Sequence, residues 1–111
     1  MRRGRPAGEL LRLPVRLHGI QLGRPLDAFV AADANRVLGF EVLCGDEATR
    51  FLPFAVARIG DEEISIDSAL TLIDERDVEF YARRSRRLTT LGFAEPWVDE
   101  DGVVSEARTA A

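Results

Sequence analysis

The side chains best suited to catalysis are few in this chain and stand apart from one another. Cys44 is the sole cysteine and His18 the sole histidine. A reactive thiol needs a neighbouring base or positive charge, whereas two acids, Asp46 and Glu47, closely follow Cys44. No second histidine or cysteine stands at metal-ligand spacing from His18. We therefore predict that Cys44 is a buried apolar residue and that His18 has a structural or surface role, and we predict no catalytic, cofactor-binding or metal-binding residue.

Two acidic runs suggest carboxylate chemistry but have the wrong spacing for it. The sequence DEDG at residues 99–102 is similar to the start of a calcium loop. Its glycine arrives too early after Asp99, and Glu106 follows too soon to complete the ligand shell. The acids at residues 61–63 have no partner set for paired acid and base catalysis. Both runs are predicted to be solvated turns.

Arginines form the densest cluster of a single charge. Arg83, Arg84, Arg86 and Arg87 lie within five positions, and we take them as candidate partner-binding residues. Such a cluster can bind RNA phosphates, anionic lipid or an acidic protein surface, although charged helix faces are ordinarily only solvated. No aromatic residue interleaves the four arginines, so the sequence gives no support for stacking of nucleic-acid bases.

Length and composition predict a single small domain in a reducing compartment. The chain has 111 residues, a net charge of -4 and no lysine, and its single cysteine cannot form an internal disulfide. The absence of lysine is typical of a GC-rich genome. The arginine-rich N-terminus lacks the apolar block of an export signal, and the longest uncharged apolar stretch, residues 52–57, is far shorter than the ~20 residues that span a bilayer. We expect a cytoplasmic protein whose contact with membranes, if any, is peripheral.

Short apolar segments separated by turn residues predict the elements that position these side chains. Residues 1–12 are predicted to be a flexible arm. Residues 13–73 alternate like a small antiparallel barrel, with strands near 15–17, 26–30, 36–44, 49–53 and 63–67. In the third strand, Leu38, Phe40, Val42 and Cys44 are predicted to share one face.

A single amphipathic helix is predicted to follow these strands over residues 74–92. Asp74 can cap its N-terminus, and Gly92 is suited to its C-terminus. Val78, Tyr81 and further residues at helical spacing give it a narrow apolar face. Residues 93–111 are predicted to be a tail that contains a hairpin, PWV-DEDG-VVS, or a partial second repeat.

Four motifs occur in order between residues 13 and 73. They are the opening HGIQLG, the segment PLDAFVAAD with its continuation NRVLGFEV, the RFLPF that ends a strand, and the closing EEISID. With this order and spacing the segment resembles the PRC-barrel family, here as a short standalone bacterial member. PRC barrels are small β-barrels found in a photosynthetic reaction-centre subunit, in a ribosome maturation factor and in short standalone proteins. The resemblance implies a non-enzymatic module that docks on proteins or on ribonucleoprotein, without catalytic positions.

The predicted fold class is mainly β, a small antiparallel PRC-like β-barrel with one C-terminal amphipathic α-helix. We expect a non-catalytic cytoplasmic protein-interaction or adaptor module that self-associates, as a homodimer or another homo-oligomer. The alternative is a ribosome-associated or RNA-associated factor that uses the arginine-rich helix. A thiol enzyme built on Cys44 is the third and least favoured hypothesis.

Overall fold

A computed structural model describes residues 4–106 and shows a mainly β protein built from two sheets and two helices. Three short 3-10 turns link parts of the chain. In chain order, the elements are β1 (Gly4–Pro6), α1 (Ala7–Leu10), β2 (Val15–Leu17), β3 (Ile20–Ala31), β4 (Val37–Cys44), β5 (Thr49–Pro53), β6 (Arg58–Ile59), β7 (Ile64–Ile66), α2 (Glu75–Arg83), β8 (Ser85–Arg87), β9 (Pro96–Asp99) and β10 (Val104–Glu106).

The larger sheet, called here the main sheet, has seven strands. Six follow the order β5-β4-β3-β2-β7-β6, and β8 pairs with β3 beside them. Neighbouring strands of the main sheet are antiparallel, as predicted, except β2 and β7, which run parallel. Among residues 4–106 the ladder is an open path from β5 to β6. The main sheet therefore confirms a mainly β fold with antiparallel pairing, and the predicted closed barrel is not confirmed.

The central hairpin of β3 and β4 follows the predicted alternation except at bulges. Phe40, Val42 and Cys44 lie on one face, as predicted, in the principal hydrophobic core. Leu38 packs instead against a second cluster on the opposite face. The reason is a register shift, since Phe29 pairs with Gly39 whereas the next residue of β3 pairs with Val37. Leu38 is thus an extra residue on β4, and a β-bulge of this kind breaks the two-residue period.

The principal core lies between the main sheet and a small sheet formed by β1, β9 and β10. Leu10 of α1 and Val98 of β9 belong to the same buried cluster as Phe40 and Leu52. The prediction of a flexible arm over residues 1–12 is therefore wrong for the described residues 4–12. These residues are ordered because β1 pairs with β9 along its whole length, and because Leu10 is fully buried.

The opposite face of the main sheet is covered by α2. Its Val78 is buried in a second cluster with Phe29 and Phe51, against which Tyr81 packs. Successive residues of a strand point to opposite faces, so Phe51 belongs to this outer cluster while Leu52 belongs to the principal core. The fold thus has three layers, with the small sheet on one side of the main sheet and α2 on the other.

The predicted helix over residues 74–92 begins as expected but ends early. The Asp74 side chain accepts a hydrogen bond from the Arg76 N–H at 3.1 Å, which caps the first turn. The helix then stops at Arg83, and the Ser85 hydroxyl donates to the Tyr81 carbonyl at 2.5 Å. The chain continues as β8, which pairs with the end of β3. β8 pairs with an edge of β3 that would otherwise be unpaired. This tertiary pairing overrides the local helix propensity of residues 85–87.

The hairpin predicted within residues 93–111 is confirmed. β9 and β10 are antiparallel neighbours, and Val104 pairs with Val98. In the turn between them, Asp99 Oδ1 accepts hydrogen bonds from the backbone N–H groups of Asp101 and Val103, each at 2.9 Å. Residues 107–111 of the predicted tail, like the first three residues of the predicted arm, lie outside the described residues.

Candidate functional site

An exposed aromatic side chain surrounded by arginines marks the solvent side of α2. We call Arg76, Phe80, Arg83 and Arg84 the outer face of α2. The three arginines stand at positions −4, +3 and +4 relative to Phe80, which places them on one side of a helical turn. Phe80 remains 49% exposed, and all three arginines are exposed as well. This surface joins a large apolar group to several positive charges.

The Phe80 ring is held by contacts with its neighbours rather than projecting as a loose side chain. The guanidinium carbon of Arg84 lies 4.2 Å from the centre of the Phe80 ring, a cation–π geometry. Tyr81 meets the same ring edge-on, with centroids 5.6 Å apart and planes at 90°. The ring is therefore pre-ordered at the surface, which reduces the conformational entropy lost when a partner binds it.

The orientation of α2 depends on an aromatic stack beneath it. The Tyr81 ring lies parallel to that of Phe51, with centroids 4.1 Å apart. Phe51 in turn stacks on Phe29 of β3 at 6.0 Å. A glycine makes the stack possible, because a Cβ atom on Gly39 would lie 2.5 Å from Phe51 Cζ. Without a side chain at that position, the Phe51 ring can lie over the β4 backbone.

The structure divides the predicted arginine cluster into two parts. Arg83, Arg84 and Arg86 are exposed, whereas Arg87 donates to both carboxylate oxygens of Glu41, at 2.6 and 3.3 Å. This ion pair raises the pKa of the Arg87 guanidinium, which also lies 5.2 Å from the centre of the Phe29 ring. Arg87 therefore fastens β8 to β4 across the sheet, while the other three arginines face solvent.

A cavity of about 340 Å³ opens on the other side of the molecule, between the small sheet and the end of the main sheet. Its apolar floor includes Phe54 and Ile59, and its rim includes Asp61, Asp99 and Glu100. We call this cavity the acidic cleft. Sequence reasoning missed it because two separate loops supply the rim. Each loop was correctly predicted to be a solvated acidic turn, and no local pattern showed that they meet.

The N-terminal strand supplies one wall of the acidic cleft. Arg5 of β1 lines the cavity, and its guanidinium donates to the Gly60 carbonyl at 2.9 Å, which ties β1 to the turn before Asp61. Gly4 allows close packing there, since a Cβ at this position would overlap the Trp97 indole. The rim still carries more negative than positive groups, namely three carboxylates beside one guanidinium.

The predicted burial of Cys44 and the predicted turn position of His18 are confirmed. Cys44 is buried, and its Sγ lies 3.9 Å from the Val42 carbonyl oxygen. His18 is exposed in the turn between β2 and β3, with a positive φ of 49°, and Gly19 follows it at 82°. Two positive φ values suit a tight turn between antiparallel strands.

Asp46, two positions after Cys44, forms an ion pair with Arg50. Both oxygens of Asp46 accept hydrogen bonds from the Arg50 guanidinium, at 2.9 and 2.7 Å. The same carboxylate accepts the Ala48 N–H at 3.1 Å. These bonds, that from Arg50 foremost, lower the pKa of Asp46 to about 2. Asp46 and Arg50 therefore close the β4–β5 turn as an ion pair.

Comparisons with known proteins give no family for the chain. No protein-family model matches it, and no curated protein is detectably similar to it. In the part of the chain that the structure describes, no group of three or more histidine, cysteine, aspartate or glutamate side chains is placed to hold a metal ion. No helix among residues 4–106 combines the length and apolar character needed to cross a membrane. The comparisons therefore assign no role to the outer face of α2.

Proposed function

We propose that this protein is a non-catalytic cytoplasmic interaction module that binds a protein partner through the outer face of α2. The observation that carries the proposal is the exposed Phe80 ring with the Arg84 guanidinium stacked on it. Aromatic residues and arginine are the side chains most enriched at the energetic centres of protein interfaces. An aromatic ring of this size contributes a large apolar contact area when a partner covers it.

The charges on this face favour an acidic partner surface. Arg76, Arg83 and Arg84 surround the ring and are exposed, and the exposed acid Glu79 precedes Phe80 on α2. Guanidinium groups bind carboxylates through paired hydrogen bonds, which adds geometric specificity to the attraction. The partner we propose therefore offers an apolar pocket for Phe80 with carboxylates at its edge.

The PRC-barrel assignment stays part of this proposal. It is supported by where the motifs fall, since HGIQLG covers the turn from β2 into β3, NRVLGFEV leads into and through most of β4, and RFLPF includes the end of β5. The open ladder between β5 and β6 is where this chain differs from a closed barrel. A module of that family would be expected to dock on other proteins rather than to catalyse a reaction.

Binding of single-stranded RNA is the second candidate. Its support is Phe80 itself, which provides the aromatic side chain that the four-arginine sequence cluster lacks. Bases stack on such rings while arginines contact phosphates. Two observations make this candidate weaker, because Arg84 already covers the Phe80 ring and Arg87 is engaged by Glu41. The net charge of -4 also disfavours binding to a polyanion.

The experiment that tests the proposed function is affinity capture from lysate of the source cells, with and without nuclease treatment, comparing the wild-type chain with Phe80→Ser. We expect a protein to be retained by the wild type and lost with Phe80→Ser. Ile20→Ser is the matched control, because Ile20 is 67% exposed at the start of β3. This variant should retain the partner. Circular dichroism spectra establish that both variants are folded.

Two results would contradict the proposed function. In one, retention by Phe80→Ser equals retention by the wild type. In the other, retention is abolished by the nuclease and a labelled single-stranded RNA binds the wild type but not Phe80→Ser. The second result would support RNA binding instead, with an affinity that falls steeply as salt rises.

A further inference from the structure

We propose that the acidic cleft of one molecule receives the outer face of α2 from a second copy of this chain, which produces head-to-tail self-association. This inference rests on the proposed function, because it names the partner of the same docking face. Both surfaces are present in every molecule, one as an aromatic group among arginines and the other as an apolar cavity edged by carboxylates.

The acidic cleft has the shape and chemistry to receive an aromatic side chain. Its volume of about 340 Å³ falls within the range of natural binding pockets. Leu10, Phe54, Ile59 and Val98 contribute apolar lining. Phe80 is one of the few large apolar side chains that the fold leaves exposed. Covering it would remove apolar surface from water on both partners, which favours association.

The charged groups around the two surfaces are complementary. Asp61 and Glu100 are exposed on the cleft rim, and no salt bridge within residues 4–106 uses either of them. Arg83 is exposed, and no carboxylate of the described residues pairs with it. The exposed Arg84 guanidinium lies over the Phe80 ring and forms no salt bridge with those carboxylates either. Two guanidinium groups beside Phe80 would thus meet two carboxylates beside the cavity.

The layered fold determines which kind of assembly results. α2 covers the outer side of the main sheet through Phe51, whereas the acidic cleft lies on the side of the small sheet, where Phe54 and Val98 belong to the principal core region. A contact between two different surfaces is heterologous, so each molecule that joins leaves one free helix face and one free cleft. Such contacts form rings or open chains rather than stopping at a two-fold dimer.

Sedimentation velocity on a dilution series of the full chain tests this inference. For the wild type we expect the weight-average sedimentation coefficient to keep rising with concentration, without a plateau at the dimer. Raising the salt from about 0.1 to about 1 M should weaken association, since it shortens the screening length from about 10 to 3 Å. The variants Arg83→Glu/Arg84→Glu and Asp61→Arg/Glu100→Arg should each associate at least about tenfold more weakly than the wild type.

Mixing the two charge-reversed variants is the decisive arm of the experiment. In each variant alone, the acidic-cleft surface and the outer face of α2 carry charge of the same sign. In the mixture, the cleft of either variant can bind the helix face of the other, which carries the opposite charge. We therefore expect an equimolar mixture to regain association. Arg12→Glu/Arg24→Glu reverses two exposed arginines elsewhere on the chain, changes the net charge by the same amount as the helix variant, and should behave like the wild type.

Three results would overturn the inference. They are a wild type that is monomeric at every concentration, association that stops at a dimer, and a mixture that stays as dissociated as its components. These results are separate from the test of the proposed function. A monomeric wild type that still captures a different protein through Phe80 would remove the second copy as the partner and leave the docking role of α2 intact.

Discussion

Replacing Gly39 with alanine tests whether the aromatic stack seats α2. The added Cβ would lie 2.5 Å from Phe51 Cζ and inside 3.0 Å of the Leu52 carbonyl oxygen, distances that a real Cβ does not adopt. The Leu52 carbonyl is backbone and cannot rotate away. Relief therefore requires the Phe51 ring and the β4–β5 ladder to shift together, which moves Phe51 away from Tyr81.

The cost of this substitution follows from three contributions. Overpacking a well-filled site costs about 1–3 kcal/mol, and loss of one aromatic pair costs about 0.5–1.5 kcal/mol. The lower entropy of the unfolded alanine chain offsets about 0.4–1 kcal/mol of this. We expect Gly39→Ala to lower the free energy of unfolding by about 2 kcal/mol, equivalent to about 1 M in the urea midpoint.

Urea unfolding followed by far-UV circular dichroism and by Trp97 fluorescence measures this effect. Gly45→Ala is the control, because Gly45 is exposed and a Cβ there would meet no atom within 4 Å. It should stay within about 0.5 kcal/mol of the wild type. Gly39→Ala should cost less in a Phe51→Leu background than in the wild type, since the ring that clashes is absent there. If Gly39→Ala unfolds at the same urea concentration as Gly45→Ala, the stack does not depend on Gly39, and the role assigned to this glycine is wrong.

Two further predictions concern ion pairs seen in the structure. Arg87→Gln should lower the free energy of unfolding by about 1.5–3 kcal/mol, because it breaks charged hydrogen bonds to the half-buried Glu41. Arg86 is exposed, so Arg86→Gln should leave the free energy of unfolding nearly unchanged. Equal effects of the two variants in urea unfolding would contradict the role of Arg87 in joining β8 to β4. Asp46 has its pKa lowered in the folded state to about 2 from 3.8, so its stabilising effect is fully present above about pH 4 and is lost as pH falls towards 2. In a carboxyl-carbon NMR titration, Arg50→Gln should move the pKa of Asp46 back towards 3.8, and an unchanged titration would disprove the pairing.

Local patterns in the sequence were enough to predict most strands and turns. Residues 49–53 form a strand that ends at Pro53, as the missing N–H of proline requires. Residues 15–17 and 64–66 were also correctly placed in strands. Asn35 takes a positive φ of 45° in the turn between β3 and β4, a conformation that asparagine tolerates.

Features that depend on distant parts of the chain could not be predicted in this way. β1 is ordered by β9, near the other end of the sequence, and nothing in the first twelve residues indicates this partner. The stretch after Arg83 has helical periodicity, yet it pairs as β8 with β3. Leu88 stands at helical spacing from Tyr81, yet it is buried in the principal core, on the other side of the main sheet from Tyr81. Pairing between distant segments decides the structure in such cases, and a short stretch of sequence does not contain the distant partner.

The candidate site was predicted only in part, for the same reason. The sequence predicts four equivalent candidate arginines, whereas the structure sets Arg87 apart through a bond to Glu41 that spans 46 positions. Phe80 is absent from the predicted site, because it stands one turn before the arginines on α2 rather than between them. The spacing of Phe80 to Arg83 and Arg84 was available as a signal.

Site-specific photocrosslinking from position 80 tests the central claim most directly. A photoreactive phenylalanine analogue replaces Phe80 on the outer face of α2 in one protein, and Ile20 in a control protein. We predict covalent adducts to protein from position 80 and none above background from position 20. Adducts of equal yield from both positions, or adducts from position 80 to nucleic acid alone, would contradict a protein-docking role for α2.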